Sequence, residues 1–274
     1  MGQVVHTLSE GLPVYGVTSL RGEMFLLRWK NERRDHVEVY DIINYCLLRC
    51  LTVPNLRGFA DMTSCENYLC VYIADDIVEC IHRLDSHGKA ATRWPVNDKP
   101  WGLSVNRAHN LLVSCIDVRK IKEYSSHGDL LREITLPFGI IHPSHAVQLT
   151  SSQFVVCHGD LGDQVHGVSM ITADGRQIVH SHGGLWGSGS GQCDGPCHLA
   201  VDQSDMVFVA DLNNRRVKLL SPTLSYMRDV VTSDILKWCP DRLCLDRHSR
   251  RMYATENEWK DDKFTAGRVV VFSI

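Results

Sequence analysis

Three residues whose side chains could do chemistry stand at matching places along the chain. Each lies two residues after a proline; they are His145, His198 and Arg242. Imidazole nitrogens are common zinc ligands, so the two histidines could hold a metal ion if a third ligand joined them. The best candidates for that ligand are His158 and His166. Because Arg242 would repel a cation, we predict no metal and no cofactor here, but a polar rim suited to an anionic partner.

A second group of residues combines cations with tryptophan. It comprises Arg28, Trp29, Lys30, Arg215, Trp259 and Lys260. Cations steer and hydrogen-bond carboxylates, and tryptophan supplies apolar anchoring, so these residues would suit a protein or peptide ligand. The same combination can bind single-stranded or hairpin RNA through phosphate contacts and stacking. The two alternatives require one surface that gathers residues from distant parts of the sequence.

Motifs and composition narrow the function further. No Gly-x-Ser-x-Gly elbow, phosphate loop or His-Glu-x-x-His motif occurs, so we predict a non-enzymatic protein, with a channel metalloenzyme as the alternative. The net charge of −3 gives no general reason to expect nucleic acid, and no apolar run reaches the roughly 18–20 residues of a membrane span. Eleven cysteines without a paired framework indicate a reduced, cytoplasmic protein, in which Cys193 and Cys197 are unpaired loop thiols.

The elements that must position these residues recur along the chain. One position begins the first strand of each unit, and its occupants are 42 to 53 residues apart: Gly16, Gly58, Gly102, His145, His198 and Arg242. An acidic residue ends the second strand of five units: Asp75, Asp117, Asp160, Asp211 and Glu256. A period near 40–45 residues with four short strands is typical of a propeller blade. We interpret the acids as structural, accepting hydrogen bonds from loop amides and from a basic residue opening the third strand.

The sequence therefore predicts an all-β, six-bladed β-propeller in a single domain, residues 1–274. The predicted blades are residues 12–54, 55–98, 99–140, 141–184, 195–233 and 239–274, the last completed by residues 3–9. The sixth unit lacks a fourth strand and the N-terminal segment lacks a partner, so pairing the two closes the ring and removes both edges. The glycine-rich stretch at 183–195 is predicted to be a loop between blades.

The fifth unit resembles a known repeat. Its sequence reads GSGSGQCDGP at 187–196, then HLAVD at 198–202, VAD at 209–211 and NNRRV at 213–217. This order of glycine-rich loop, proline, apolar strand, Val-Ala-Asp and Asn-Arg steps closely resembles the NHL repeat. The likeness is moderate in the second, third, fourth and sixth units and poor in the first.

The resemblance implies several functions. NHL propellers form the C-terminal part of tripartite-motif ubiquitin ligases, where they bind proteins or RNA. Similar propellers in peptide-amidating lyases carry zinc in the central channel, and lactonase-type propellers hold metal with an acidic set that Glu256-Asn257-Glu258 resembles. We favour a recognition module for a protein or peptide, monomeric as an isolated domain, that could be the substrate-recognition part of a larger ligase. RNA binding and a metal-dependent lyase or hydrolase are the alternatives.

Overall fold

The computed structural model describes residues 3–28, 36–58, 60–88, 91–159, 162–246, 248–261 and 263–274. Three residues of the predictions, Trp29, Lys30 and Asp160, lie outside this part. Within it the chain is all-β, and no helix is long and apolar enough to cross a membrane.

Six antiparallel sheets of four strands form the blades. Strand β1 (Gln3–Gly11) belongs to the last blade, whose other strands are given below. Blade 1 has β2 (Val14–Leu20), β3 (Glu23–Arg28), β4 (His36–Asp41) and β5 (Leu47–Leu51). Blade 2 has β6 (Met62–Cys65), β7 (Cys70–Asp75), β8 (Cys80–Asp85) and β9 (Ala91–Pro95). Blade 3 has β10 (Pro100–Val105), β11 (Leu111–Cys115), β12 (Lys120–Tyr124) and β13 (Leu130–Thr135).

The second half of the chain repeats the pattern. Blade 4 has β14 (His145–Gln148), β15 (Phe154–His158), β16 (Val165–Ile171) and β17 (Ile178–Leu185). Blade 5 has β18 (Pro196–Val201), β19 (Val207–Asp211), β20 (Arg216–Leu220) and β21 (Tyr226–Val231). Blade 6 has β22 (Cys239–Asp246), β23 (Arg251–Lys260) and β24 (Lys263–Ser273), with β1 outermost.

The hydrophobic core lies between neighbouring blades. Successive side chains of a strand point to opposite faces of its sheet, so a strand packed on both sides has no polar face. All six residues of β7 are buried for this reason. Tyr72 packs with residues of blade 3 such as Val113, whereas Ile73 packs with residues of blade 1 such as Phe25. The outermost strands, such as β13, are largely exposed.

The ring closes as the sequence predicts. Strand β1 pairs antiparallel with β24, with Gln3 opposite Ser273 and Thr7 opposite Val270. Asn257 secures the junction of blades 6 and 1, because its side chain accepts a hydrogen bond from the Val14 N–H and donates one to the Val14 carbonyl, both at 2.8 Å. The predicted six-bladed fold and its closure are confirmed.

The two ends of the ring differ in the loops that they carry. Each blade is an up-and-down meander whose inner strand is β2, β6, β10, β14, β18 or β22. The loops between blades and those joining second to third strands therefore lie on the side where the inner strands begin. We call this side the entry face. The loops after the inner strands and after the third strands lie on the opposite face.

Candidate functional site

A buried polar cluster closes the central channel near the entry face. It consists of Asp61, His145, His198 and Arg242, and we call it the plug. The rings of His145 and His198 stack with centroids 3.7 Å apart. Asp61 lies beside them, with Oδ2 3.3 Å from His198 Nε2 and Oδ1 3.3 Å from Arg242 Nε. Beyond the plug, a cavity of about 500 Å³ runs from His145 and His198 towards the turns of the opposite face.

Three plug residues make the same link to the following blade. The Leu103 amide donates to Asp61 Oδ2 at 2.8 Å, the Leu199 amide to His145 Nδ1 at 3.3 Å, and the Leu243 amide to His198 Nδ1 at 3.3 Å. Arg242 reaches across the channel and donates to the Ala60 carbonyl of blade 2. With the hydrogen bond from His145 Nε2 to the Leu103 carbonyl, the plug therefore links blades 2 to 6 to one another.

These hydrogen bonds decide how well the plug could hold a metal. Because His145 Nδ1 accepts from an amide, its ring proton is assigned to Nε2, which donates to the Leu103 carbonyl at 2.9 Å. His198 follows the same pattern and donates from Nε2 to Asp61. The Nε2 atoms nearest the carboxylate thus carry protons rather than free lone pairs. With the Arg242 guanidinium beside the same carboxylate, the donor set does not fit a cation.

The charges of the plug balance internally. Burial alone would raise the pKa of Asp61, but His198, Arg242 and His145 outweigh it and lower the pKa to about 2. Burial and the neighbouring His198 lower the pKa of His145 to about 3, so this imidazole is neutral near pH 7. His145, His198 and Arg242 contact one another and Asp61 rather than solvent.

Asp61 is the plug residue that sequence reasoning missed. The repeat alignment placed Gly58 at this position, but Gly58 lies in the preceding loop and donates its amide proton to Asp75. Blade 2 lacks the proline that marks the position in later blades. The sequence spacing to the acid that ends the second strand would have identified Asp61. In blade 6, Glu256 follows Arg242 by 14 residues; in blade 2, Asp75 follows Asp61 by the same 14 residues but follows Gly58 by 17.

The other two histidines considered as ligands lie in blade 4, outside the plug. His158 Nε2 forms a hydrogen bond with Ser169 Oγ at 2.9 Å. His166 Nδ1 accepts a hydrogen bond from the Gly195 amide at 2.9 Å. They do not complete a ligand set with His145 and His198.

Asp75, Asp211 and Glu256, at the ends of the second strands of blades 2, 5 and 6, tie loops to the sheet, as interpreted from the sequence. Asp117 was interpreted in the same way but lies exposed in the turn after β11, which ends at Cys115. Asp211 accepts from the Asp194 amide and from Arg216 Nε, both at 2.7 Å. Glu256 accepts from the Trp238 amide at 2.8 Å and from Arg268 Nε. In blade 2 the partner is a histidine, since His82 Nε2 lies 3.4 Å from Asp75 Oδ2.

The residues predicted to bind a ligand divide into two groups. Arg28 is only 6% exposed, because its Nε pairs with Glu38 at 2.7 Å and its Nη1 donates to the Leu12 carbonyl. It offers little surface to a partner. Arg215 is exposed in the turn after β19, and Trp259 (56% exposed) and Lys260 lie where the β23–β24 hairpin extends above the entry face.

Exposed aromatic side chains are concentrated on the entry face. In the described part of the chain, the large aromatic side chains exposed on this face are Phe138, Trp186 and Trp259, whereas the opposite face carries Tyr68. Exposed aliphatic side chains occur on both faces. Exposed aromatic rings grouped on one face mark a candidate interaction surface.

Cations accompany the aromatic rings of the entry face. Lys99 lies 5.3 Å from the Trp101 ring, Arg119 5.4 Å from Phe138 and Lys237 4.4 Å from Trp238. These distances are within the range of cation–π attraction. The face therefore combines apolar area with positive charge.

Loops of blades 5 and 6 carry both features on the entry face, in a surface that we define by Trp186, Arg215, Trp238, Trp259 and Lys260. We call it the tryptophan surface. The loop that follows β17 and carries Trp186 is held in place by the buried Lys218, which donates to the Ser190 and Gln192 carbonyls at 2.7 Å. Asn214 donates to the Gly187 carbonyl at 2.9 Å and so joins this loop to the turn that carries Arg215.

Comparisons with known proteins give the fold. No protein-family profile matches the chain, and no curated protein matches it in sequence. A streptogramin B lyase aligns with a TM-score of 0.65 at 13% identity, over 95% of this chain and 83% of that one. Virginiamycin B lyase from Staphylococcus aureus gives 0.64 at 11%, over 98% and 100%. A chain of the nidogen/laminin complex gives 0.66 at 10%, over 84% of each chain.

At these identities the likeness concerns architecture alone. Two of the neighbours are lyases and the third is a propeller solved with a bound protein, so the fold serves both enzymes and protein-binding modules. The resemblance to NHL repeats stays a prediction.

Proposed function

We propose that this propeller is a recognition module that binds an acidic, aromatic-containing peptide segment of a partner protein on the tryptophan surface. The observation that carries the proposal is the pair of exposed tryptophans on neighbouring loops of the entry face. Trp186 is 59% and Trp259 56% exposed there. Tryptophan and arginine are enriched among residues that dominate binding energy.

The chemistry of the surface favours an acidic ligand. Arg215 and Lys260 are exposed beside the tryptophans, and Lys237 lies over Trp238. Carboxylates of a peptide would pair with these cations while its apolar side chains contact the indole rings. The hydrogen bonds from Lys218 and Asn214 hold the loop before binding, which lowers the entropy cost of association.

RNA is the runner-up for the same surface. Stacking on tryptophan and contacts from arginine and lysine would suit single-stranded RNA. Acidic residues on the same loops, Asp194, Glu258 and Asp261, interrupt the positive charge of this surface. A peptide can place its few carboxylates at the cations alone, whereas a phosphate backbone repeats its negative charge along its whole length. The protein or peptide ligand is therefore the better fit.

The experiment selects peptides from a random display library against the wild-type protein. We expect enriched peptides to combine Asp or Glu with aromatic residues. Trp259→Ala should weaken them by about 30-fold, which corresponds to about 2 kcal/mol for a central tryptophan. Tyr68→Ala, an exposed aromatic on the opposite face, is the matched control and should bind as wild type does.

Two results would overturn the proposal. One is equal binding by the wild-type and Trp259→Ala proteins. The other is retention of a random RNA pool that weakens steeply between about 50 and 200 mM salt, with no peptide enriched, which would assign the surface to RNA.

A further inference from the structure

A second buried cluster lies outside both the plug and the tryptophan surface. It joins the end of β7 to the start of β8 and contains Asp75, Cys80 and His82, each buried. His82 Nε2 lies 3.4 Å from Cys80 Sγ and 3.4 Å from Asp75 Oδ2. One oxygen, one sulfur and one nitrogen thus converge within 4.8 Å of one another.

The arrangement does not suit nucleophilic catalysis. In a catalytic relay, the histidine contacts the nucleophile with one ring nitrogen and the carboxylate with the other. Here the same atom, His82 Nε2, faces both Cys80 and Asp75. A proton cannot be passed along such a set, so the convergence requires another explanation.

Blades 5 and 6 show what is unusual about this cluster. Asp211 and Glu256 are the equivalent acids in blades 5 and 6, and the residue opposite each in strand register is an arginine, Arg216 or Arg268. In blade 2 the residue opposite Asp75 is Cys80. Blade 2 keeps the buried acid but replaces its guanidinium partner with a thiol, next to an imidazole.

We propose that Asp75, Cys80 and His82 form a binding site for a zinc ion. Cysteine sulfur, histidine nitrogen and carboxylate oxygen are the ligands that zinc takes in proteins. A zinc ion carries two positive charges, which one thiolate and one carboxylate neutralise, so the ion supplies the counter-charge that arginine provides in blades 5 and 6. Binding releases the Cys80 thiol proton to solvent.

The distances fit tetrahedral coordination. With Zn–S near 2.3 Å and Zn–N near 2.0–2.1 Å, neighbouring ligand atoms around a tetrahedral zinc lie about 3.4–3.6 Å apart. The two measured separations, both 3.4 Å, agree with this spacing. Asp75 is also held in place, since its Oδ1 accepts the Gly58 amide at 2.8 Å and its Oδ2 the Arg57 amide at 2.7 Å. Such outer hydrogen bonds orient ligating carboxylates.

The site lies directly beneath the entry-face turn that carries the exposed Ile77 and Val78. Water entering from this turn would supply the fourth ligand. The proposal does not depend on the tryptophan surface, which belongs to other blades.

The test loads chelator-treated full-length protein with zinc, removes the excess and measures metal per chain. We expect one zinc in the wild type and none in Cys80→Ser or His82→Gln. Cys115→Ala removes another buried cysteine, on a strand of blade 3, and should retain one zinc. Cobalt should give a thiolate-to-metal absorption band in the wild type and in Cys115→Ala but not in Cys80→Ser.

Controls separate loss of the ligand from loss of the fold. Zinc should raise the melting temperature of the wild type and leave that of Cys80→Ser unchanged, while both give the same circular dichroism without metal. Wild-type protein that retains no zinc would overturn the proposal. So would zinc that survives in Cys80→Ser but disappears in His198→Gln, which would assign the metal to the plug.

Discussion

Replacing Asp61 with asparagine tests the role of the plug. The carboxylate accepts the Leu103 amide and pairs with His198 and Arg242, and asparagine keeps its shape while removing the charge. Removing one partner of a buried ion pair costs about 3–5 kcal/mol. Because Asp241 still contacts Arg242, we expect the lower end, about 3 kcal/mol less free energy of unfolding.

The assay is urea unfolding followed by circular dichroism. Asp174→Asn, a change of an exposed carboxylate in a hairpin turn, is the matched control and should alter stability by at most about 0.5 kcal/mol. If Asp61→Asn and Asp174→Asn unfold at the same urea concentration, the plug does not stabilise the ring and the reasoning fails.

The pH dependence of the same variant gives an independent check. The pKa of Asp61 is lowered in the fold from 3.8 to about 2. Its stabilising charge is therefore fully present above pH 4 and is lost as the pH falls towards 2. At about 1.4 kcal/mol per pKa unit, the wild type should lose roughly 2 kcal/mol over this window that Asp61→Asn does not lose. A difference between the two proteins that stays constant from pH 5 to pH 2.5 would contradict this assignment.

Three further predictions concern a second residue of the plug and two other parts of the ring. Burial and His198 lower the pKa of His145 to about 3, so the neutral imidazole contributes fully to the free energy of unfolding above pH 6.5, and this contribution declines as the pH falls. His145→Asn should therefore flatten the dependence of the free energy of unfolding on pH between pH 6.5 and 4. An unchanged slope would refute this. Asn257→Ala removes two buried hydrogen bonds to β2 and should cost about 2–3 kcal/mol in thermal unfolding, whereas Asn67→Ala, on an exposed turn, should cost little. Lys218→Met should release the loop at residues 187–192, seen as faster cleavage there in limited proteolysis; unchanged cleavage would show that other contacts hold it.

The fold was predictable because the signals that specify it are local and repeated. Four short strands per unit define the blades, and an unpaired segment at each end of the chain predicts the pairing of β1 with β24. Where a marker is missing, prediction fails. Blade 2 has no proline before its inner strand, so Asp61 was not assigned to the channel.

Side-chain partnerships were harder to predict because they depend on register. The sequence alone indicates that Arg28 is a cation in an exposed loop. Pairing of β3 with β4 instead brings Glu38 to 2.7 Å from its Nε atom. The convergence of Asp75, Cys80 and His82 likewise requires knowing that Cys80 lies opposite Asp75. Sequence spacing alone does not show which residues share a face across a hairpin.

Closure of the ring by β1 has a consequence for synthesis of the protein. Blades 1 to 5 each use consecutive strands and can pair as soon as they leave the ribosome. Gln3, by contrast, pairs with Ser273, so the first strand of the propeller is among the last of its strands to find a partner. During this interval the strand is an open edge that can pair with another nascent chain. Translation that stalls inside blade 6 should therefore yield aggregates rather than a nearly complete propeller.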